Sequence, residues 1–325
     1  MRSLEKRWIG GALTALALVF AVAIAVGVGY EEVARRRDRE RFPQIGRPVD
    51  IGGRTLNIYC SGEGSPTVVL ESDALAPGYG WLFIQREIAK VTRACWYDRA
   101  GYGWSDPGPA PHTSTMAAQD LHELLRAAGL QPPYLLVGDG FGSLNVRVYN
   151  GLYPDGVTGM VLVDPIHEEE ERMGMAGRIP FHLGYPPDLV LRTVSRIGLM
   201  RLLNLGRRRA LPHKGLTPGE RAILSGLERE PKIRAAFLAE EGFSKSLEEV
   251  RAAGGLGSRP LIVLRSEDSA ESLAGQGADE TRWARLSTRG REVVVRGSDH
   301  NIQYEAPDAV VGAVRDVVAE LRGKP

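Results

Sequence analysis

The sequence predicts an α/β chain whose mostly parallel sheet is covered by helices on both faces, tethered through one apolar N-terminal helix. Eight short β-type runs, from the third onward alternating with amphipathic helical stretches, give the class. The later runs are apolar at nearly every position, the pattern of strands buried on both faces rather than one. A third observation is the segment Ile9 to Val28, which contains no charged residue. About 20 residues rising 1.5 Å each span the ~30 Å hydrocarbon core of a bilayer.

That first element has Trp8 and Tyr30 near its two ends, where amphipathic rings favour the headgroup region. A cleaved signal peptide is the competing reading, with Arg2, Lys6 and Arg7 as its positive start, but the apolar run is longer than the usual core of such a peptide. The expected organisation is therefore an anchor over 1–30, a charged linker over 31–46 and a folded domain over 47–325. Glu31 to Arg41 reads as a solvated spacer or a surface for lipid headgroups.

Short strands follow at Val49 to Ile51, Thr55 to Cys60, Thr67 to Leu70 and Ala94 to Tyr97, separated by Gly-, Pro- and Ser-containing turns. Helices are expected over Ile84 to Val91 and Met116 to Ala128, and strands at Tyr134 to Val137 and Met160 to Val163. From about 168 to 257 strands vanish and the pattern is helical, which predicts a helical cap inserted into the sheet domain. Within it, Asp188 to Leu205 carries leucines at helical spacing beside Arg192, Arg196 and Arg201. Such a helix either buries its leucines against the domain or lies on a membrane. Strands resume at Leu261 to Leu264 and Glu292 to Val295, and Ala309 to Leu321 closes the chain as a helix.

The chain has 325 residues, 43% of them hydrophobic and 25% charged, enough for one large core. Its 41 basic and 40 acidic residues leave a net charge of +1, so there is no global field to attract nucleic acid. Topology is pulled two ways. Five arginines after the apolar run against three basic residues before it favour a cytoplasmic domain. Cys60 and Cys95, if bonded, favour an extracytoplasmic one, whereas two buried thiols would favour neither. The expectation is a single-pass membrane protein with its domain outside the cytoplasm; nothing in the sequence fixes an oligomeric state.

Six segments in fixed order carry a family resemblance: VVLES (Val68 to Ser72) leading to Trp81, YDRAGYGWSDPG (Tyr97 to Gly108), LLVGDGFGSLNVRVY (Leu135 to Tyr149), GMVLVDP (Gly159 to Pro165), PLIVL (Pro260 to Leu264) and GSDHNIQ (Gly297 to Gln303). In these the chain resembles the α/β-hydrolase superfamily, in its serine-hydrolase, esterase-like branch, over about Val49 to Leu321. The resemblance implies an eight-stranded sheet and sets the strands of Cys60 and Cys95 side by side, within reach of a disulfide. It also implies a catalytic histidine at His300, an acid at Asp268 or Asp164 with the former preferred, and a nucleophile on the sharp turn after the fifth strand.

At that turn the family's G-x-S-x-G becomes Gly138-Asp139-Gly140-Phe141-Gly142, so the nucleophile position is Gly140 and holds no side chain. Sliding the register puts Asp139 in the slot, as in dehalogenase-like relatives, but then Phe141 falls where the turn needs a small residue. Ser143, one turn into the helix, reads as structural. The oxyanion loop, where relatives carry glycines, reads Ser72-Asp73-Ala74-Leu75. Asp73 either points at the pocket and opposes an oxyanion or turns outward and caps a helix; Ala74 and Phe141 are expected to line the same pocket.

Removing the nucleophile alone costs on the order of a millionfold where it has been measured. The expected function is a degenerate hydrolase that binds an apolar or acyl-bearing ligand without cleaving it. The alternatives are an active esterase-like enzyme, or a His300–acid pair acting without a covalent intermediate. The six histidines are scattered and the glycine-rich turn lacks a phosphate-binding lysine, so neither metal nor cofactor is expected.

Overall fold

The computed structural model describes residues 2–166, 193–194, 196–202, 213–240, 243–274 and 283–323. Strands β1 (Arg47–Asp50), β2 (Thr55–Ser61), β3 (Thr67–Glu71), β4 (Ala94–Tyr97), β5 (Tyr134–Asp139), β6 (Val157–Val163), β7 (Leu261–Ser266) and β8 (Gly290–Val295) form one sheet in the order β1-β2-β4-β3-β5-β6-β7-β8. β2 is antiparallel to both β1 and β4, and every later pairing is parallel. All eight expected strands are present, most of them a residue or two longer than their apolar runs.

The central strands β4, β3, β5 and β7 are buried at every position, and β6 at all but one, because both faces are covered. Leu136, Met160 and Val263 point into one core, with Leu124 from α3 (Ser114–Ala127) and Leu144 from α4 (Gly142–Leu152). Their neighbours Leu135, Val137, Val161 and Ile262 point into the other, with Ile84 from α2 (Leu82–Ile88). Thr113 caps α3 by accepting the Met116 N–H. Cys60 and Cys95 stand opposite one another across the β2–β4 pair and are joined in a disulfide.

The chain enters the sheet's centre at β3 and then runs outward in opposite directions through β4 and β5. That reversal leaves a crevice beyond the carboxyl ends of β3 and β5, the place where open α/β sheets hold ligands.

The first helix, α1 (Arg2–Arg41), runs without a break through the stretch expected as a spacer. Acid–base pairs four residues apart, Glu31 with Arg35 and Glu32 with Arg36, support it there, and no glycine or proline falls between Tyr30 and Pro43. It is long and apolar enough to cross a membrane, by length and composition.

The chain divides into two compact units, one of residues 1–43 with 186–209, the other of 44–185 with 210–325. Within the first, Arg201 from the short helix α5 (Leu199–Leu202) bridges Glu31 at 3.0 Å and Asp38 at 2.6 Å. Half of Asp188 to Leu205 lies outside the described residues, as does much of the expected cap. The remainder of that cap, in the second unit, is helical as expected: α6 (Pro218–Glu228), α7 (Pro231–Ala239) and α8 (Phe243–Ala253). The unit closes with α9 (Glu267–Ala274), α10 (Ile302–Glu305) and α11 (Pro307–Leu321).

Candidate active site at the carboxyl edge of the sheet

Gly140 joins β5 to α4 with φ +48, a left-handed conformation that side chains disfavour. Its flanking glycines are required by close approach. A Cβ on Gly138 would stand 2.7 Å from Val146 Cγ2, and one on Gly142 would stand 2.6 Å from the Ser72 carbonyl oxygen. The turn is therefore built in the register that leaves Gly140 at its tip. Asp139 is buried and accepts from the Gln303 side-chain amide, away from the tip. Ser143 is fully buried and its Oγ accepts the Ile166 N–H at 3.3 Å, a structural role as expected.

The space that a side chain at position 140 would use belongs to Asp73. A Cβ on Gly140 would lie 2.2 Å from Asp73 Oδ1. Of the two orientations open from sequence, the carboxylate takes the inward one. Leu75 holds φ +61, a left-handed conformation that favours glycine. Asp73 Oδ1 accepts the Phe141 N–H at 2.7 Å, at the amino end of α4, where the helix dipole favours negative charge. Asp73 Oδ2 lies 3.3 Å from His300 Nε2.

On the other side of the ring, His300 Nδ1 is 2.7 Å from Asp164 Oδ2. Asp164 ends β6 with φ +38 and accepts from Ser266 N at 2.9 Å, Ser266 Oγ at 3.0 Å and Ser269 Oγ at 2.9 Å. The preference for Asp268 as the histidine's partner is corrected here. Asp268 is exposed in the first turn of α9, where its charge suits the helix terminus, and Asp164 makes the contact instead. Burial pulls the His300 pKa down, but the hydrogen bonds from Asp164 and Asp73, and then their charges, raise it well above the ordinary value. The two flanking carboxyl groups thus favour the protonated ring.

A second set of charges, which the sequence reading did not single out, fixes the Asp73 loop from beneath. Arg99, 7% exposed, donates to Glu71 at 2.8 Å and to the Ser72 and Asp73 carbonyl oxygens. Its other side holds Glu240, from the segment between α7 and α8, at 3.1 Å. Tyr102 donates to Glu240 at 2.9 Å, and Asn145 donates to Glu71 at 2.9 Å. Burial raises the Glu240 pKa to about 7, against the lowering effect of Arg99 and Tyr102. Arg99 lies in the quoted YDRAGYG stretch, so the motif marked the place without revealing the role. Beside it, a void of ≈ 20 Å³ behind Phe141 has room for about one water. Among the described residues, no group of three or more His, Cys, Asp or Glu side chains is arranged to hold a metal.

Residues 72–185 match the family model described as the alpha/beta hydrolase fold. A protein of Hormonema carpetanum named Probable transporter efuK is 25% identical over 305 residues, which cover 85% of this chain and 43% of that protein. The chain thus spans under half the length of that relative. YqjL of Bacillus subtilis (strain 168) is 26% identical over 264 residues, covering 79% of this chain and 85% of YqjL. Among solved structures, a laboratory-evolved variant of a potato epoxide hydrolase superposes with a TM-score of 0.68 at 17% identity, covering 85% of this chain and 99% of that one. By sheet topology, by the turn after β5 and by these likenesses, the chain has the α/β-hydrolase fold.

Proposed function

We propose that the chain is a membrane-anchored hydrolase-fold protein that has lost serine-based ester hydrolysis and binds an apolar or acyl-bearing small molecule at its sheet edge. The observation that carries this is the double exchange at the site: Gly140 at the turn's tip, and the Asp73 carboxylate in the space and on the Phe141 N–H that an acyl-enzyme needs. An ester's carbonyl oxygen draws its stabilisation from such a donor as charge develops, and a resident carboxylate both occupies the donor and repels the charge. The anchor rests on the length and apolarity of α1. Cys60–Cys95 favours a domain in an oxidising compartment, outside the cytoplasm. The likeness to an epoxide hydrolase is one of fold and carries no substrate to this chain.

A fluorophosphonate probe with a panel of acyl esters tests the reading. The natural protein is expected to show no labelled serine and no turnover, and the double variant Gly140→Ser, Asp73→Gly to be labelled at position 140. A labelled serine in the natural protein contradicts it.

A second reading is favoured by the His300–Asp164 contact, because 46% of the His300 side-chain surface remains open to a ligand. In it this pair activates water or substrate directly. It predicts an activity abolished by His300→Ala and retained in Ser143→Ala.

A further inference from the structure

We infer that a second ligand site lies at the amino edge of the sheet, away from His300: a cleft between the carboxyl-terminal ends of α3 and α4 that takes a neutral, flat aromatic molecule bearing one hydroxyl or carbonyl group. The inference is independent of the reading given for the carboxyl edge and goes beyond it.

The cleft has a volume of ≈ 510 Å³, within the range of pockets that hold small organic molecules. Helical spacing builds it. His122 and Arg126 stand four residues apart on α3, and Leu152 and Tyr153 follow Tyr149 by three and four at the end of α4, so each helix turns one face to the cleft. Tyr134, the first residue of β5, and the turn Pro154–Gly156 that leads into β6 complete the lining. The rings pack on one another: His122 and Tyr153 stack with centroids 3.9 Å apart and planes 9° from parallel, and Tyr149 lies 5.0 Å from Tyr153. Leu152, 45% exposed, adds apolar surface at the same cleft. Such a lining favours a flat, apolar ring over an extended chain, because aromatic faces gain most from stacked or edge-on partners.

One polar group in this lining is unspent. Tyr149 is 1% exposed, yet its hydroxyl has no hydrogen-bond partner among the described residues, where buried polar groups normally have one. The hydroxyl stands beside Gly156, since a Cβ on that glycine would lie 3.7 Å from it. The Tyr134 hydroxyl, by contrast, already donates to the Leu130 carbonyl oxygen at 2.9 Å. Burial first, then the neighbouring Tyr134 and Tyr153, raise the Tyr149 pKa, so this hydroxyl keeps its proton and is available as a donor. A ligand that buries its ring here must bring an acceptor to meet it.

Charge selects further. Arg126 and Asp155 line the cleft with opposite signs, both are exposed, and Arg126 is already paired with Glu123 at 2.8 Å. The two offset one another, so the lining offers no surplus charge to hold an anion or a cation, and the ligand is neutral.

The test titrates the full-length protein in detergent micelles by equilibrium dialysis, with empty micelles subtracted, against 2-naphthol, naphthalene and 2-naphthoate. The natural protein is expected to take up one 2-naphthol per chain, about three- to tenfold more tightly than naphthalene, the worth of one neutral hydrogen bond. Tyr149→Phe is expected to remove that advantage and leave naphthalene unchanged. Gly156→Leu places a side chain in the cleft where its Cβ meets only ordinary contacts of 3.7, 3.8 and 3.9 Å, and is expected to abolish saturable uptake of 2-naphthol. No saturable uptake by the natural protein, or uptake that persists in folded Gly156→Leu, overturns the site. Equal weakening of 2-naphthol and naphthalene in Tyr149→Phe overturns the role of the hydroxyl, and tighter binding of 2-naphthoate than of 2-naphthol overturns the neutral ligand.

Discussion

Two residues at the turn are coupled in space although 67 positions separate them in sequence. Because the Gly140 position already lies against Asp73, a serine placed there alone is not expected to present a free hydroxyl. Gly140→Ser introduces a Cβ into the carboxylate at a left-handed φ, and is expected to lower unfolding free energy by about 1–3 kcal/mol in urea titrations. Asp73→Gly vacates that space, so the double variant should recover part of the loss, with an interaction energy on the order of 1 kcal/mol. Strictly additive losses would mean that the two side chains do not compete for one volume. Gly140 and His300 were legible from motif spacing. The direction of Asp73 was not, because a single sequence shows which residues a loop contains and not which way it turns.

At the scale of elements, the strands are legible to within about three residues because burial on both faces leaves their middles apolar, as in TVVLE and YLLVGD. The helical nature of 31–41 is not evident from sequence, because acid–base pairs at four-residue spacing suit a solvated spacer as well as a helix. The partner of His300 was also misjudged: both Asp164 and Asp268 follow strands, and only the backbone at the end of β6, with φ +38, brings one of them to the ring. The ionic set of Glu71, Arg99 and Glu240 ties β3, the segment after β4 and the helical insertion together at a depth where none of the three is more than 7% exposed. Removing the cation leaves two carboxylates buried beside each other. Arg99→Met is expected to cost about 3–5 kcal/mol of unfolding free energy, and a loss under about 1 kcal/mol would show that the set is not a structural clamp.

Across the whole molecule, an apolar leading helix precedes a disulfide-bonded hydrolase-fold domain in which His300 stands between the Asp164 and Asp73 carboxylates. The account depends on the Asp73 carboxylate sharing His300. A histidine whose folded pKa is raised contributes stability that is full below its unfolded value near 6.5 and is lost as pH rises through the folded value. The most direct measurement is therefore the NMR titration of the His300 imidazole in the natural protein and in Asp73→Asn. The result expected is a ring that stays protonated well above pH 6.5 in the natural protein and titrates at lower pH in the variant. Identical titrations in the two would contradict the claim that Asp73 shares His300 with Asp164.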